Sequence, residues 1–249
     1  MLEVKTLSKD FDGLRALDGV SLTVPAGAVV GLIGPNGSGK STLLNIIART
    51  MDPTSGQILF DGHDLTSETA DTAFRLGLAR GYQNPALFFQ MTVLDNALLP
   101  MRAQRGERPW YAPWRRFWQR QELDNARRAA SVLEQVNLHG HYGKPASDLS
   151  GGQMKLLEMA RSLAGEPKML LLDEPTAGVA PGLAYEIFQR IDALRRENGM
   201  TFLIVEHRLE ILFDFVDLVY VMHMGKLLAQ GTPDEIARNP EVREVYFGD

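Results

Sequence analysis

One segment restricts the fold of this 249-residue chain more than any other. The apolar run Val29–Ile33 leads directly into Gly34-Pro-Asn-Gly-Ser-Gly-Lys40-Ser41, and a helical pattern runs from about Lys40 to Ala48. Such an apolar run is typical of a strand buried in a parallel sheet. A loop of the form G-x-x-x-x-G-K-S between a strand and a helix is typical of a phosphate site. We therefore predict an α/β fold with a parallel sheet and a phosphate-binding loop.

The chemistry of this loop follows from its small residues and its cation. Small side chains let backbone N–H groups converge on the β- and γ-phosphates of a nucleotide, and the dipole of the following helix adds to the attraction. Lys40 supplies a positive charge to these phosphates, Ser41 offers its hydroxyl to Mg²⁺, and Thr42 is placed to contact the α-phosphate. The predicted nucleotide contacts are Gly34, Pro35, Asn36, Gly37, Ser38, Gly39, Lys40, Ser41 and Thr42.

Two acids, Asp173 and Glu174, end a second apolar run at residues 169–172. An acid at the end of a buried parallel strand meets the sheet edge at which ligands bind. Asp173 fits a carboxylate that holds Mg²⁺ through water, and Glu174 fits the residue that polarises an attacking water. Paired acids at a strand end are often only solvated, but the apolar run before them and Pro175-Thr176 after them argue for a site.

The segment Leu149-Ser-Gly-Gly-Gln153 lies between these two motifs. Ser150 and Gln153 have the spacing of a capping box, which indicates the start of a helix. A helix start does not require two glycines beside its cap. Gly151 and Gly152 therefore indicate a bare backbone at an exposed, positive helix end, in addition to the cap.

Taken in this order, the phosphate loop, the LSGGQ segment and the acid pair resemble those of the nucleotide-binding subunit of an ABC transporter, from about Leu2 to the C-terminus. The resemblance implies a P-loop NTPase fold with a RecA-like parallel-sheet core, an N-terminal antiparallel β sub-domain and an inserted helical sub-domain. We expect a single ABC ATPase domain over residues 1–249. Its core would comprise 1–84 and 165–249, and its helical sub-domain 85–164 with the LSGGQ segment.

The resemblance also implies roles for further residues. Residues 150–153 would contact the γ-phosphate held by the other subunit of a head-to-tail dimer, so a monomer would be nearly inactive. His207 matches the family's switch histidine, which contacts the γ-phosphate and orients the water. Gln83 matches the glutamine that joins the core to the helical sub-domain and reaches Mg²⁺ or the water. Phe11 matches the aromatic residue that stacks on adenine; a core aromatic is the alternative.

Composition restricts the partners. The net charge of −5 argues against a dedicated nucleic-acid binder, which would show a basic surplus. No run reaches the roughly 18 apolar residues that span a bilayer, so we expect any work at a membrane to be done through a partner. The resemblance implies ATP and Mg²⁺ as cofactors. It also implies transmembrane permease subunits, a second identical or similar ATPase subunit and, indirectly, a solute-binding protein, with this chain at the cytoplasmic face of the cell membrane.

Three features resemble the branched-chain (hydrophobic) amino-acid uptake subfamily. After Asp173-Glu-Pro-Thr176 the family usually has Ser-Ala-Leu-Asp, whereas this chain has Ala-Gly-Val-Ala180. The tail Pro240-Glu-Val-Arg-Glu-Val-Tyr-Phe-Gly248 resembles the subfamily's C-terminal signature, and residues 101–121 resemble an insertion in its longer ATPase subunit. This resemblance implies a subunit that energises uptake of branched-chain or other hydrophobic amino acids.

The insertion holds all three tryptophans, Trp110, Trp114 and Trp118, at helical spacing beside Phe117 and among six arginines. Trp and Arg on one amphipathic helix can bind the headgroup layer of a membrane or a permease loop. An aromatic stripe is more often packing, which the sequence favours here, and Pro113 indicates that the helix starts only there.

Three other functions fit part of the pattern. An export or lipid-extraction ABC ATPase shares the motifs and a similar tail. Soluble ABC ATPases of DNA repair carry long coiled-coil insertions, and those of translation carry two cassettes; this chain shows no sustained heptads and one cassette. A binding module without hydrolysis is disfavoured by the intact Glu174 and His207.

Overall fold

The computed structural model of the chain describes residues 1–81, 87–102, 104–107 and 109–247. It contains two compact units, each described by itself below. Unit 1 is formed by Met1–Gln83 together with Lys168–Asp249, and unit 2 by Asn84–Pro167. Within the described residues, no helix is both long enough and apolar enough to cross a lipid bilayer.

An antiparallel sheet of unit 1 is built mainly from the N-terminal residues. Its strands are β1 (Leu2–Phe11), β2 (Leu14–Val24), β4 (Ser55–Phe60) and β5 (His63–Asp64), in the order β2-β1-β4-β5. Leu2 pairs with Val24 on one side and with Phe60 on the other. These three side chains are fully buried, because alternate residues of a strand share one face and here that face covers the core.

The second sheet of unit 1 is mostly parallel. Its strands are β3 (Val29–Ile33), β6 (Leu78–Gly81), β7 (Met169–Asp173), β8 (Thr201–Val205), β9 (Leu218–His223) and β10 (Lys226–Gly231). The order is β10-β9-β3-β8-β7-β6, and only the β9–β10 hairpin is antiparallel among the described pairs. Every residue of β3, β7 and β8 is buried. The predicted α/β fold, with a parallel core sheet and an N-terminal antiparallel sheet, is confirmed.

The helices of unit 1 connect and cover these strands. They are α1 (Lys40–Ile47), α2 (Ala70–Leu76), α6 (Pro181–Asn198), α7 (Leu209–Leu212), α8 (Pro233–Arg238) and α9 (Pro240–Phe247). Helix α8 begins at a capping box: the Thr232 N–H donates to Glu235 Oε2 at 2.7 Å, and the Glu235 N–H donates to Thr232 Oγ1 at 3.4 Å. Pro233 occupies the first helical position, where its missing N–H costs nothing.

Unit 2 is helical. Its helices α3 (Val93–Leu98), α4 (Gln119–Gln135) and α5 (Gly151–Ala164) pack on one another, and short 3-10 turns span Arg105–Glu107, Arg115–Phe117 and Ala146–Asp148. The core of the unit is apolar, as expected for helices that each bury one stripe. Its buried side chains include Val93, Ala97, Ala129, Leu133 and Leu157.

The tryptophan stripe proposed for unit 2 is wrong as a helix. Trp110 lies in a turn, Trp114 follows that turn, and α4 starts only at Gln119 after Trp118. Pro113 has no N–H to donate and restricts the backbone of the residue before it, so no helix joins Trp110 to Trp114. After Pro113, residues Arg115–Phe117 form a 3-10 turn, so the predicted helix start at Pro113 is also wrong. The packing interpretation is also wrong for Trp110 and Trp114, which are exposed, while Trp118 is half-buried.

Candidate nucleotide site

The loop between β3 and α1 is pressed closely against neighbouring backbone. Gly34 has a φ of +151°, and a Cβ there would lie 2.2 Å from the Met222 carbonyl oxygen. Gly39, the residue before α1, has a φ of +102°, and a Cβ there would lie 2.7 Å from the Ala16 carbonyl oxygen. Only glycine fits at either position. The β9 and β2 strands thereby fix both ends of the phosphate-binding loop.

Lys40 is buried inside this loop. Its Nζ donates to the carbonyl oxygens of Gly34 at 2.8 Å and Pro35 at 2.9 Å. Burial lowers the pKa of the Lys40 ammonium, while the nearby carboxylates of Glu174 and Asp173 oppose that shift. The loop therefore holds a cation at the N-terminus of α1, where the helix dipole also favours an anion.

A cleft of about 550 Å³ opens beside the loop, which is within the usual size range of ligand pockets. Its lining includes Phe11, Asn36, Lys40, Glu174 and His207. Phe11 is 39% exposed at the end of β1, and the Lys9 ammonium lies 5.1 Å from its ring centroid. The alternative of a core aromatic is therefore excluded for Phe11, whose ring forms part of the cleft wall.

Most of the other predicted loop contacts also lie at this cleft, but among the described residues Gly34, Pro35 and Asp173 are not part of its lining. Ser38 and Lys40 are buried, Ser41 is exposed and Thr42 is half-buried in the first turn of α1. The set shared by the prediction and the cleft lining is Phe11, Asn36, Gly37, Ser38, Gly39, Lys40, Ser41, Thr42, Glu174 and His207. Gln83 lies outside the described residues.

Glu174 and His207 meet at the carboxyl ends of neighbouring strands. His207 Nε2 lies 3.0 Å from Glu174 Oε1, although 33 positions separate the two residues in the sequence. Glu174 has a φ of +49°, an uncommon conformation for a residue with a side chain, and its N–H donates to the Val205 carbonyl at 2.9 Å. The hydrogen bond to the adjacent strand fixes the backbone of Glu174 beside the cleft.

Asp173 forms a buried ion pair with Arg80. Arg80 Nη2 donates to Asp173 Oδ2 at 3.1 Å, and Arg80 Nη1 donates to the side-chain oxygen of Asn45 on α1. Sequence reasoning missed Arg80 as the partner of this aspartate and Asn45 as the second partner of Arg80. A signal existed for Arg80, because an arginine inside the otherwise apolar strand β6 requires a partner for its charge.

Glu206 is a second residue that sequence reasoning missed. It is 3% exposed and accepts hydrogen bonds from the Thr176 N–H at 3.0 Å, the Thr176 hydroxyl and the His207 N–H at 2.9 Å. The segments that follow β7 and β8 are thereby joined through one carboxylate. Its position directly after the apolar strand β8, beside His207, was the available signal.

The C-terminal helix α9 also reaches the phosphate loop. Burial raises the pKa of Tyr246 to about 12, and the nearby backbone of Gly34 opposes that shift. Tyr246 belongs to the tail that the sequence analysis singled out only as a resemblance. Its contact joins the tail to the residue at which β3 becomes the loop.

In unit 2, Ser150 starts α5 with the predicted capping box. The Gln153 N–H donates to Ser150 Oγ at 3.3 Å, and the Ser150 N–H donates to Gln153 Oε1 at 3.0 Å. Gly151 is exposed and has open space around it, whereas Gly152 is buried. The first turn contains no acid, so the positive end of the helix dipole is not neutralised by its own side chains.

Comparison with known proteins assigns the family. The model described as "ABC transporter" matches residues 17–177, which is more than half of the chain and includes the phosphate loop, the LSGGQ segment and the acid pair. The chain belongs to the ABC transporter family. A second model, described as "Branched-chain amino acid ATP-binding cassette transporter", matches residues 226–249 of this ABC ATPase.

Relatives of this ABC ATPase match it over its full length. It is 40% identical to the probable branched-chain amino acid transport ATP-binding protein LivG of Methanocaldococcus jannaschii, covering 100% of this chain and 98% of the relative. It is 36% identical to the high-affinity branched-chain amino acid transport ATP-binding protein LivG of Escherichia coli K12, with the same coverage. The resemblance to the branched-chain amino-acid subfamily is confirmed.

Solved structures agree with the fold. An ATP-binding cassette of an ABC transporter in its ADP conformation is 40% identical, with a TM-score of 0.87 over 100% of this chain and 99% of that chain. A dimeric bacterial ABC transporter cassette is 26% identical, with a TM-score of 0.78 over 94% of this chain and 99% of that chain. This ABC ATPase binds ATP and hydrolyses it in a transport system. The export, lipid-extraction and soluble alternatives are not favoured.

Proposed function

We propose that the chain energises the uptake of branched-chain amino acids through a separate membrane permease. The observation that supports this function most strongly is the full-length similarity to relatives named for branched-chain amino acid transport. In this proposal the chain is a peripheral subunit at the cytoplasmic face of the cell membrane. It pairs head-to-tail with a second, identical or similar ATPase subunit, and a solute-binding protein delivers the amino acid to the permease.

The residues of the cleft in unit 1 have separate roles in the proposed function. Phe11 stacks on the adenine, the loop residues 34–42 hold the phosphates, and Lys40 leaves its carbonyl partners to meet the phosphate charge. Glu174 polarises the attacking water, and His207, which already touches Glu174, contacts the γ-phosphate.

A magnesium ion fits the donors beside this cleft. Ser41 presents an exposed hydroxyl at the start of α1, and Asp173 supplies a carboxylate at the end of β7. Both are oxygen ligands, which Mg²⁺ prefers, and few protein ligands suffice because substrate phosphates supply others. Gln83 is the third proposed ligand. Mg²⁺ bound there would neutralise charge that develops on the phosphates.

In this proposal the LSGGQ segment of the second subunit completes the nucleotide site of the first. Residues 150–153 lie at an exposed helix start with no acid in its first turn, which suits a contact with phosphate. Ala180, which stands where the family usually has aspartate, removes a charged contact between subunits. The loss affects communication between the two sites rather than hydrolysis.

Uptake measurements test the proposed substrate class. In a strain that lacks this chain, uptake of labelled leucine, isoleucine and valine should fall to background and return with the wild-type chain. Lys40→Ala should not restore uptake, because the loop loses its cation, and uptake of proline serves as the matched control. If the strain instead loses uptake of a different solute only, the chain is still a transport ATPase, but the assignment to branched-chain amino acids is refuted. Unchanged uptake of every solute tested would refute both.

A further inference from the structure

The insertion in unit 2 exposes a group of large aromatic side chains to solvent. Trp110 is 86% exposed, Trp114 59% and Phe117 45%, and Tyr111 lies beside them. Single apolar side chains on a surface are normal, but four within one short segment form a patch. Tryptophan and tyrosine have an apolar body and a polar tip, and they are enriched where a membrane meets water.

The patch is held in place by specific contacts. Trp118 packs against Gly106, and its Nε1 donates to the Ala112 carbonyl at 3.2 Å. The Trp114 N–H donates to the Tyr111 carbonyl at 2.9 Å, and the rings of Tyr111 and Phe117 lie 6.0 Å apart. Trp118 therefore anchors the segment, while Trp110 and Trp114 remain largely exposed and Phe117, beside Tyr111, is about half exposed.

Charge distinguishes this segment from the rest of the molecule. Residues 101–121 contain six arginines and one glutamate, whereas the remaining chain has 20 Lys and Arg against 30 Asp and Glu. The guanidinium of Arg116 lies 5.0 Å above the Phe117 ring. Among the described carboxylates, none forms an ion pair with Arg115, Arg116 or Arg120. A basic and aromatic patch on an acidic protein calls for an anionic, apolar partner.

We propose that residues 109–120, the aromatic tip, dock on the surface of a membrane rich in acidic phospholipids. Trp110, Trp114 and Phe117 enter the headgroup layer, and Arg115, Arg116 and Arg120 contact the lipid phosphates. An acidic bilayer fits both halves of the patch, since it presents negative charge above an apolar layer. The contact is the chain's own and is independent of its transported solute and of the permease.

The tryptophans themselves report on the proposal, because the chain has only three and all lie in this insertion. The purified full-length chain is mixed with phosphatidylcholine vesicles with and without phosphatidylglycerol. Tryptophan emission should shift to shorter wavelength only with the vesicles that contain phosphatidylglycerol, and the chain should co-sediment only with those vesicles. Added salt should reverse both the emission shift and the co-sedimentation.

Variants separate the two halves of the tip. Trp110→Ser with Trp114→Ser should abolish co-sedimentation while leaving Trp118 as the fluorophore. Replacing Arg115, Arg116 and Arg120 by Gln should lower partition into acidic vesicles by on the order of a hundredfold. The matched control replaces the exposed Arg75, Arg127 and Arg243 by Gln, which changes the net charge equally outside the tip. ATP binding should be unchanged in all of them, which verifies their folding.

Two results would overturn the proposal. If the folded wild-type chain shows no shift and no co-sedimentation with either vesicle, the patch does not bind lipid and belongs to a protein contact. If the arginine control loses as much partition as the tip variant, net charge rather than the tip controls binding. Neither result would affect the proposed uptake function, which is measured independently.

Discussion

Glu206 illustrates, at the scale of single residues, how this site depends on side chains outside its cleft. Its carboxylate bonds both Thr176, which follows Glu174 closely, and the His207 N–H. The distance between Glu174 and His207 is therefore set by a residue that stands apart from the nucleotide. A buried acceptor that bonds several donors is costly to alter, because each lost partner leaves a polar group unsatisfied.

Glu206→Gln should lower kcat for ATP by about tenfold and leave KM for ATP within about twofold. The amide keeps the shape of the carboxylate but replaces one acceptor oxygen with a donor, so either Thr176 or His207 loses its hydrogen bond. The free energy of unfolding should fall by about 1–3 kcal/mol in urea titrations. Glu210→Gln, an exposed change four positions further on, is the matched control. A parallel rise in KM would indicate that Glu206 supports binding instead.

Sequence reasoning found most of the residues that line the cleft, but it missed Leu14, Arg15, Ala16, Met224 and Gly225 in the lining and the residues that hold the cleft in place. Lys40 and Glu174 belong to motifs whose chemistry depends on local spacing, so they were predictable, whereas His207 was predicted only from the family resemblance. Arg80 and Glu206 act through Asp173 and Thr176, which lie 93 and 30 positions away. Such contacts arise only when strands become neighbours, and no local pattern encodes them.

At the scale of elements, the parallel strands position the chemistry. The carboxyl ends of β3, β7 and β8 are neighbours in the sheet, so the loops that follow them converge. β3 and β7 were predicted because fully buried strands are continuous apolar runs. The insertion was predicted wrongly. Pro113 interrupts a helix between Trp110 and Trp114, and the 3-10 turn at residues Arg115–Phe117 delays the start of α4 until after Trp118.

Ala180 provides the element-scale prediction. It occupies the position before α6, where it makes no side-chain cap, and Pro181 follows it. Ala180→Asp should raise the free energy of unfolding by about 1 kcal/mol, because the carboxylate can accept from the first N–H groups of α6. Urea denaturation without nucleotide measures this change, and Ala180→Asn, which caps without the charge, should give a similar gain. No gain from either variant would mean that these N–H groups already have partners.

At the scale of the whole molecule, each of the two units carries a different part of the proposed ATP site. Unit 1 holds the cleft with its cation, aromatic ring and acid–histidine pair, and unit 2 holds the exposed start of α5. Family membership makes the chain a transport ATPase, and the proposed head-to-tail pairing brings the α5 start of one copy to the cleft of another. We therefore expect the working unit to contain more than this chain.

Affinity capture with Glu174→Gln from detergent-solubilised native membranes is the most direct test of that claim. This variant should bind ATP and hydrolyse it about 10²–10⁴-fold more slowly, so that the ATP-bound assembly persists. We expect Glu174→Gln to recover permease subunits and a second ATPase subunit, and to recover more of them with ATP than without it. The Lys40→Ala variant serves as the control. Recovery of no membrane protein, from a folded variant that binds ATP, would contradict the transport account.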